Sequence, residues 1–423
     1  MSAAPHRLPA PSDLAHHWAL DPDVVYLNHG SFGACPIPVL EAQSAIRAKM
    51  EREAVRFFVI DLWELTDKAR NALAPIVGAR PQDIVFVRNA TSGVAAVMAS
   101  LELAAGDEVL FLNQEYPACR AIVRAACARA GAIPVEATLP WPLTDPGQAV
   151  EAILSKVTPR TRLCLLSHIT SGTALVLPIA EIIEELRARG VETLLDAAHS
   201  AGQVELDLTA LAPAYATGNC HKWLCAPKGA AFLWVRHDMQ GGVRPPFESV
   251  YSRELGPSHA RGPGTRSRFN LDFDYLGTDD YTPRLTLPAA IAFMEGALPG
   301  GLDEVRAHNR AMAVRATKLL RERLGTPALA PESMMASMGV VALPGHDAER
   351  GARLASRPTW YADALQDALV ERHAIQAPVW SVAGGAPGSG RFLRLSAQLY
   401  NSPAQYEYLA DALEAELERE RGL

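Results

Sequence analysis

The chain has 423 residues, a length that supports two or three domains around sizeable cores and excludes a peptide-sized or disulfide-stapled fold. Hydrophobic residues make up 49% and charged residues 21%, close to the globular average, which excludes disorder and fibrous repeats. Forty Lys and Arg against 47 Asp and Glu leave a net charge of −7, so no general electrostatic footprint for nucleic acid or an anionic membrane exists, and a small-molecule partner is expected.

The N-terminal stretch Met1 to Asp13 has no apolar core behind its basic residues and does not read as a secretory signal. The longest apolar run, Gly229 to Val235, is strand-length and far short of the roughly 20 residues that cross a bilayer. A cytoplasmic protein is expected. Six cysteines, at 35, 119, 127, 164, 220 and 225, form no CxxC pair and read as free thiols. Cys220, His221 and Cys225 lack a second ligand pair, so no metal site is expected.

From about residue 70 to 235, short apolar runs alternate with helical patterns, the signature of a parallel sheet with crossover helices. The predicted strands are Ile84 to Val87, Glu108 to Leu112, Ile133 to Glu136, Arg162 to Ser167, Glu192 to Leu195, Ala214 to Thr217 and Ala230 to Val235. Apolar spacings of three and four predict helices over Ser92 to Ala104 and Ile179 to Arg189, with Pro178 suited to a first helical turn. Arg244 to Pro283 is rich in Gly, Pro, Arg and aromatics without a clean period, and so long an irregular stretch tends to be functional or interfacial. A domain change is placed near residue 300, after the apolar stretch Leu287 to Leu298. The remainder, with helix-like Asp303 to Leu324 and Tyr406 to Arg419 around strand-like Gly339 to Leu343 and Arg391 to Leu395, reads as a smaller α+β domain.

In an open parallel sheet, ligands bind just beyond the carboxyl ends of the strands. After the first predicted strand comes Arg88-Asn-Ala-Thr-Ser-Gly-Val94, where helix N–H groups with the Thr91 and Ser92 hydroxyls can cradle a phosphate; the same Thr-Ser pair can equally be an ordinary cap. Asp196, in Asp196-Ala-Ala-His-Ser200, follows the apolar pair Leu194-Leu195, and a carboxylate there needs a cation or hydrogen-bond donors to stay ionised. A protonated pyridine nitrogen is one such partner, and capping of the next helix is the alternative. Lys222, in Gly218-Asn-Cys-His-Lys-Trp223, falls on a loop entering the same edge, where a desolvated amine can attack an aldehyde cofactor. Each feature alone is ordinary. Together and in this order they fit a pyridoxal phosphate site.

With these motifs the sequence resembles the fold-type I, class V aminotransferase family, in its isopenicillin N epimerase-like branch. The likeness runs from Tyr26-Leu-Asn-His-Gly-Ser-Phe-Gly33 through Asp196-Ala-Ala-His199 and His221-Lys222 to Arg394-Leu-Ser-Ala-Gln-Leu-Tyr-Asn401. It implies a mostly parallel seven-stranded sheet with helices on both faces, an N-terminal segment over residues 1–34 packing on the small domain, a large cofactor domain over 35–300 and a small C-terminal domain over 301–423. The implied cofactor is pyridoxal 5'-phosphate, with Lys222 as its Schiff-base lysine, Asp196 on the pyridinium nitrogen and His199 near the phenolic oxygen. Ser171 matches the place of a second ligand to that oxygen. Ala90, Thr91 and Ser92 match the phosphate turn, with Asn219 and His221 as further phosphate ligands. Gly277 and Thr278 match a segment that reaches the phosphate from the partner subunit, which implies a homodimer with shared active sites. Tyr116 matches the residue stacked over the ring, Arg394 the carboxylate clamp and Asn28 its companion.

The resemblance leaves the reaction open among epimerisation, β-elimination and transamination of an amino acid or amino-acid-derived substrate, with epimerase or racemase favoured. Lys222 is the acid/base on one face, and Tyr116 or His29 the candidate donor on the other. Desulfurases place a nucleophilic Cys upstream of the clamp arginine, where this chain reads Ala383-Gly-Gly-Ala-Pro-Gly-Ser-Gly390. A persulfide-forming enzyme is therefore not expected, and the Gly-rich segment is read as a substrate lid or a surface turn. Arg266 or Arg268, if either reaches the pocket, would select a substrate with a second anionic group. The contrasting class is a ligand-binding protein that kept the fold and lost the chemistry, against which the pairing of Asp196 with Lys222 argues.

Overall fold

The computed structural model describes residues 8–247, 249, 266–345, 348–381 and 390–422. In chain order the strands are β1 (Val25–Tyr26), β2 (Ile84–Val87), β3 (Glu108–Leu112), β4 (Ile133–Ala137), β5 (Thr161–Ser167), β6 (Glu192–Asp196), β7 (Tyr215–Asn219), β8 (Ala231–Val235), β9 (Met338–Ala342), β10 (Ile375–Gln376), β11 (Val379–Ser381) and β12 (Arg391–Ser396). Seven of them form one sheet in the order β2-β8-β7-β6-β5-β3-β4. Within it β8 runs antiparallel to both neighbours and every other pair is parallel. The seven expected strands thus form, with ends displaced by one or two residues.

Alternation along each strand gives the sheet two apolar faces. Leu110, Leu112, Cys164, Leu166, Leu195 and Phe232 enter one core. Val109, Phe111, Leu163, Leu165, Leu194 and Leu233 enter the core on the opposite face. Strands buried on both faces must be continuously apolar, which is why they stand out in the sequence. Helix Ala90–Ser100 lies against β7, where a Cβ on Gly93 would come within 2.1 Å of the Thr217 hydroxyl oxygen.

The C-terminal part is a three-stranded antiparallel sheet, β11-β12-β9, with helices Gly301–Leu324 and Pro403–Arg421 contributing to one core with its strands. The N-terminal segment is bound into this unit, since β1 pairs with β10 and Val25 and Leu27 enter the same core. Among the described residues no helix is long and apolar enough to cross a membrane.

Arg266 and Arg268 do not reach the pocket. Arg266 is clamped by Asp67 at 2.6 Å and Asp274 at 2.9 Å over the Trp63 ring, and Arg268 pairs with Asp272 at 3.0 Å. Buried carboxylates need cationic partners, so this arginine-rich stretch serves the buried Asp272 and Asp274 and the half-buried Asp67. The Gly-rich segment Ala383 to Gly390 lies, except for Gly390, outside the described residues.

Candidate active site

A cleft of about 300 Å³ opens at the carboxyl edge of the large sheet, facing β11 and β12. Because β2, β3, β5, β6 and β7 all end on this edge, the short segments that follow them meet there. They bring Ala90, Thr91, Tyr116, Ser171, Asp196, His199, Asn219, His221 and Lys222 onto one wall system, and β12 adds Arg394. Ten of the expected site residues therefore share one cavity.

Lys222 is held by its backbone. Its carbonyl accepts from the Cys225 N–H at 3.0 Å and lies 2.8 Å from His29 Nε2. A close approach secures the loop from the N-terminal side, since a Cβ on Gly33, at φ 66°, would fall 2.1 Å from the His221 carbonyl oxygen. The Lys222 Nζ lies 3.0 Å from His199 Nε2, and the Trp223 indole N–H donates to His199 Nδ1 at 3.4 Å. With Nδ1 accepting, the neutral ring carries its proton on Nε2, which donates to an unprotonated lysine amine. Burial first, then the Arg394 charge, lowers the Lys222 pKa to about 7. Burial and the lysine charge hold His199 well below its ordinary range. Network and electrostatics both favour the amine, which makes up about half of the population at pH 7 and most of it above.

Asp196, at the end of β6, is 4% exposed. It accepts from the Ala198 N–H at 2.9 Å and the Cys119 thiol at 3.5 Å. Burial raises its pKa. One backbone donor and one weak thiol donor leave it short of partners, and it faces the cavity.

Helix Ala90–Ser100 points its N-terminus into the cleft. The Thr-Ser pair is not its cap. Asn89 is, accepting from the Ser92 N–H at 2.8 Å and the Ser92 hydroxyl at 2.9 Å, so Ser92 is spent on the cap and does not line the cavity. Asn219 Oδ1 accepts from the Ala90 N–H at 2.8 Å, tying helix to β7. His221 Nδ1 lies 3.0 Å from the Ala230 carbonyl oxygen, so the neutral ring offers a lone pair on Nε2, and only protonation makes it a phosphate donor.

Arg394 is 1% exposed. Its Nη1 donates to the Ser171 carbonyl, and Nη2 donates to Asn28 Oδ1 at 3.0 Å and the Ser31 hydroxyl at 2.6 Å. Nε is buried without a partner, and among the described residues no carboxylate pairs with this guanidinium. Burial lowers its pKa to about 10. A buried guanidinium without a carboxylate partner has the chemistry to receive one.

His29 is fully buried and absent from the cavity wall. Nε2 engages the Lys222 carbonyl and Nδ1 lies 2.9 Å from the Tyr400 hydroxyl. It positions the lysine loop; the expected role in touching substrate is not what this arrangement provides. Gly277 and Thr278 are also off the wall of their own chain, and the Gly277 carbonyl accepts from the Tyr281 hydroxyl at 2.6 Å.

Three residues escaped the sequence reading. Tyr361 and Trp380 form part of the cleft wall, with ring centroids 5.2 Å apart. Glu115, buried beyond β3, accepts the Ser167 N–H at 2.7 Å and also bonds the Ser167 hydroxyl. Burial and the nearby Asp196 charge raise its pKa to about 8. Glu115 was findable by the logic that found Asp196, as a lone acid just past a buried strand. Glu115→Gln is expected to melt close to wild type, because an amide replaces a protonated acid. Glu115→Ala leaves two buried Ser167 groups unpaired and should lose about 1–3 kcal/mol or more in denaturant unfolding. Equal losses in the two variants would mean that Glu115 is ionised.

The class-V aminotransferase family model matches residues 39–355. An isopenicillin N epimerase of Streptomyces clavuligerus is 35% identical over 405 residues, covering 94% of this chain and 96% of that protein. A probable chloroplastic L-cysteine desulfhydrase of Arabidopsis thaliana is 30% identical over 426 residues, covering 95% of this chain and 84% of that protein. Among solved structures, the cystine C–S lyase C-DES in complex with its reaction product cysteine persulfide superposes with a TM-score of 0.74 at 24% identity, covering 92% and 97% of the two chains.

Proposed function

Because the chain belongs to the class V aminotransferase family, whose cofactor is pyridoxal 5'-phosphate, we propose that it acts at Cα or Cβ of an amino acid or amino-acid-derived substrate, as an epimerase or racemase. The observation that carries the reading is the pairing, in one cavity, of the desolvated Lys222 amine, its pKa lowered to about 7, with a buried guanidinium that meets no carboxylate among the described residues.

The residues fit the cofactor on their own chemistry. Asp196 is a buried carboxyl short of donors, Lys222 a desolvated amine, and the Asn89-capped helix an N-terminus facing the cleft. Thr91 would hold its phosphate at the helix N-terminus, whereas the Ala90 N–H is already spent on Asn219 and burial lowers the His221 pKa to about 4, which keeps that ring neutral. When bound, the ring supplies an electron sink that stabilises negative charge at Cα. Arg394, steadied by Asn28 and Ser31, binds the substrate carboxylate and so orients Cα. The Lys222 amine takes and returns a proton at Cα. Tyr116, which enters the same cavity from the loop after β3 while Lys222 enters from the loop after β7, is the candidate carrier for the other face. Two proton carriers flanking one carbon are what stereochemical inversion requires.

The identities support the order of readings, with isopenicillin N epimerases at 35–37% above desulfhydrases at 27–30%. The second reading, C–S β-elimination, rests on those desulfhydrase relatives. A persulfide mechanism finds no support in the thiols. All six cysteines are buried, and burial pushes them up, Cys35 to about 12 and Cys119, Cys164, Cys220 and Cys225 further still. Incubation of the holoenzyme with L-amino acids in D2O tests the choice. Deuterium at Cα with inverted configuration is expected. Pyruvate or sulfide would overturn it in favour of a lyase, a pyridoxamine spectrum in favour of transamination, and a protein that stays colourless with added cofactor would end the enzyme reading.

The lysine pKa sets a pH profile for cofactor capture. Below about 7 the ammonium dominates, so free amine falls tenfold per pH unit; above it the amine is already free. Stopped-flow absorbance after mixing apoprotein with pyridoxal phosphate should show a rate rising through pH 6 and levelling above 7. A midpoint near the ordinary lysine value would show that the amine is not desolvated.

We also propose a homodimer in which Gly277 and Thr278 complete the partner's phosphate site. Supporting it, Leu40, Val55, Val59 and Ile60 form exposed apolar surface on one N-terminal stretch, and Gly277 and Thr278 do not line the cleft of their own chain. Sedimentation should give twice the chain mass, and mixing inactive Lys222→Ala with Thr278→Ala subunits should regenerate sites more active than either parent. A monomeric holoenzyme would sink this arrangement.

A further inference from the structure

Packing alone does not hold Tyr116. The residue is 45% exposed, and it stands at the N-cap of helix Pro117–Ala130 without its side chain capping that helix. A ring placed this way takes its position from the backbone around it, and the three residues before it tie that backbone down. The Asn113 N–H donates to the Ala137 carbonyl at 2.9 Å, and Asn113 Oδ1 accepts from the Leu139 N–H at 3.1 Å, both at the end of β4. Gln114 Oε1 accepts from the Thr173 hydroxyl. Glu115 reaches across to β5, the strand between β3 and β6. It is 2% exposed, and its carboxyl accepts from the Ser167 N–H at 2.7 Å and also bonds the Ser167 hydroxyl.

Ser167 is the last residue of β5 and lies opposite Asp196 in the parallel register. One helical turn beyond Tyr116, the Cys119 thiol donates to Asp196 Oδ2 at 3.5 Å. The chain on either side of Tyr116 is therefore fastened to the β5–β6 edge at two neighbouring points, Ser167 through Glu115 and Asp196 through Cys119. A thiol is a weak donor, so the two hydrogen bonds of Glu115 carry the fastening. They work without an ion. Burial and the Asp196 charge push Glu115 up to about 8, and in its neutral form it presents Ser167 with one acceptor and one donor. We propose that Glu115 is a positioning residue of the active site, which by binding Ser167 holds Tyr116 against the cofactor beside the strand end that carries Asp196. This rests on the reading that Tyr116 lies on the cofactor face away from Lys222.

The test is a double-mutant cycle on cofactor affinity, read by absorbance as apoprotein is titrated with pyridoxal 5'-phosphate, with the visible circular dichroism of the bound cofactor as a second readout. Tyr116→Ala and Glu115→Ala are each expected to weaken binding about tenfold and to diminish the dichroism. The double variant should bind no more weakly than the weaker single one, because the ring that Glu115 holds is already gone. Glu115→Gln should keep both affinity and dichroism, since an amide offers Ser167 the same acceptor and donor. Ser167→Ala, which keeps the N–H bond and loses the other, should fall between Glu115→Gln and Glu115→Ala, and it replaces Glu115→Ala in the cycle if that variant does not fold. Losses that multiply to about a hundredfold in the double variant, a Glu115→Ala protein that binds like wild type, or a Glu115→Gln protein as weak as Glu115→Ala would overturn the proposal and leave Tyr116 in place. A Tyr116→Ala protein with wild-type affinity and dichroism would take Tyr116 off the cofactor, and the role of Glu115 would fall with that reading.

Discussion

Lys222→Ala is expected to fold normally, to retain no covalently trapped cofactor after borohydride reduction, and to turn over at least about 10³-fold more slowly than wild type. Folding should survive because the loop is held by its backbone, through the Cys225 N–H and His29 on the Lys222 carbonyl, and by the close contact at Gly33. Chemistry should not survive. The Nζ atom is the amine that desolvation frees at neutral pH, and the neutral His199 beside it cannot form a covalent bond with an aldehyde in its place. Lys228 is the natural control, since its amine donates to the Gly33 carbonyl at 2.9 Å and is absent from the cavity wall. Label persisting in Lys222→Ala but lost in the additional Lys228→Ala change would move the nucleophile and dismantle the site as described.

Much of this was legible in the chain because the residues that build it obey local rules. Strands such as β3 and β7 are buried on both faces, so their apolar runs betray them, and the carboxyl edge of the sheet then points at Asp196 and Lys222. Side chains whose roles depend on a neighbour distant in sequence were not legible. Whether Ser92 faces a phosphate or a cap depends on Asn89 reaching its N–H and hydroxyl first. His29, flanked by Asn28 and Gly30, reads like a substrate contact until Tyr400 and the Lys222 carbonyl are seen to occupy both ring nitrogens. Arg266 reads as pocket charge in the sequence, which does not display the half-buried Asp67 and the buried Asp274 that claim it. Tyr361 and Trp380 arrive from the C-terminal part, where strands are short and the pattern carries no edge rule.

Arg394 shows how stability and function pull apart in this fold. Its guanidinium is buried, accepted by one carbonyl, one amide oxygen and one hydroxyl, and faces no carboxylate among the described residues. Neutral acceptors take three of its N–H contacts, leave Nε unpaired and balance none of its charge, a desolvation cost that a bound carboxylate would reduce. Arg394→Lys keeps the charge and loses the planar fork, so it cannot hold Asn28, Ser31 and a carboxylate together. Two charge-assisted hydrogen bonds at about 1.5–3 kcal/mol each correspond to a fall in kcat/KM on the order of 10²–10⁴-fold. The fall should lie mainly in KM if the clamp binds ground and transition states alike, and the cofactor's spectrum should be unchanged. Thermal unfolding gives the independent readout. A saturating amino acid should raise the melting temperature of the wild-type holoenzyme through linkage and leave that of Arg394→Lys nearly unmoved. A variant still stabilised by the ligand would place the carboxylate seat on another residue, and the role of Asn28 would fall with it.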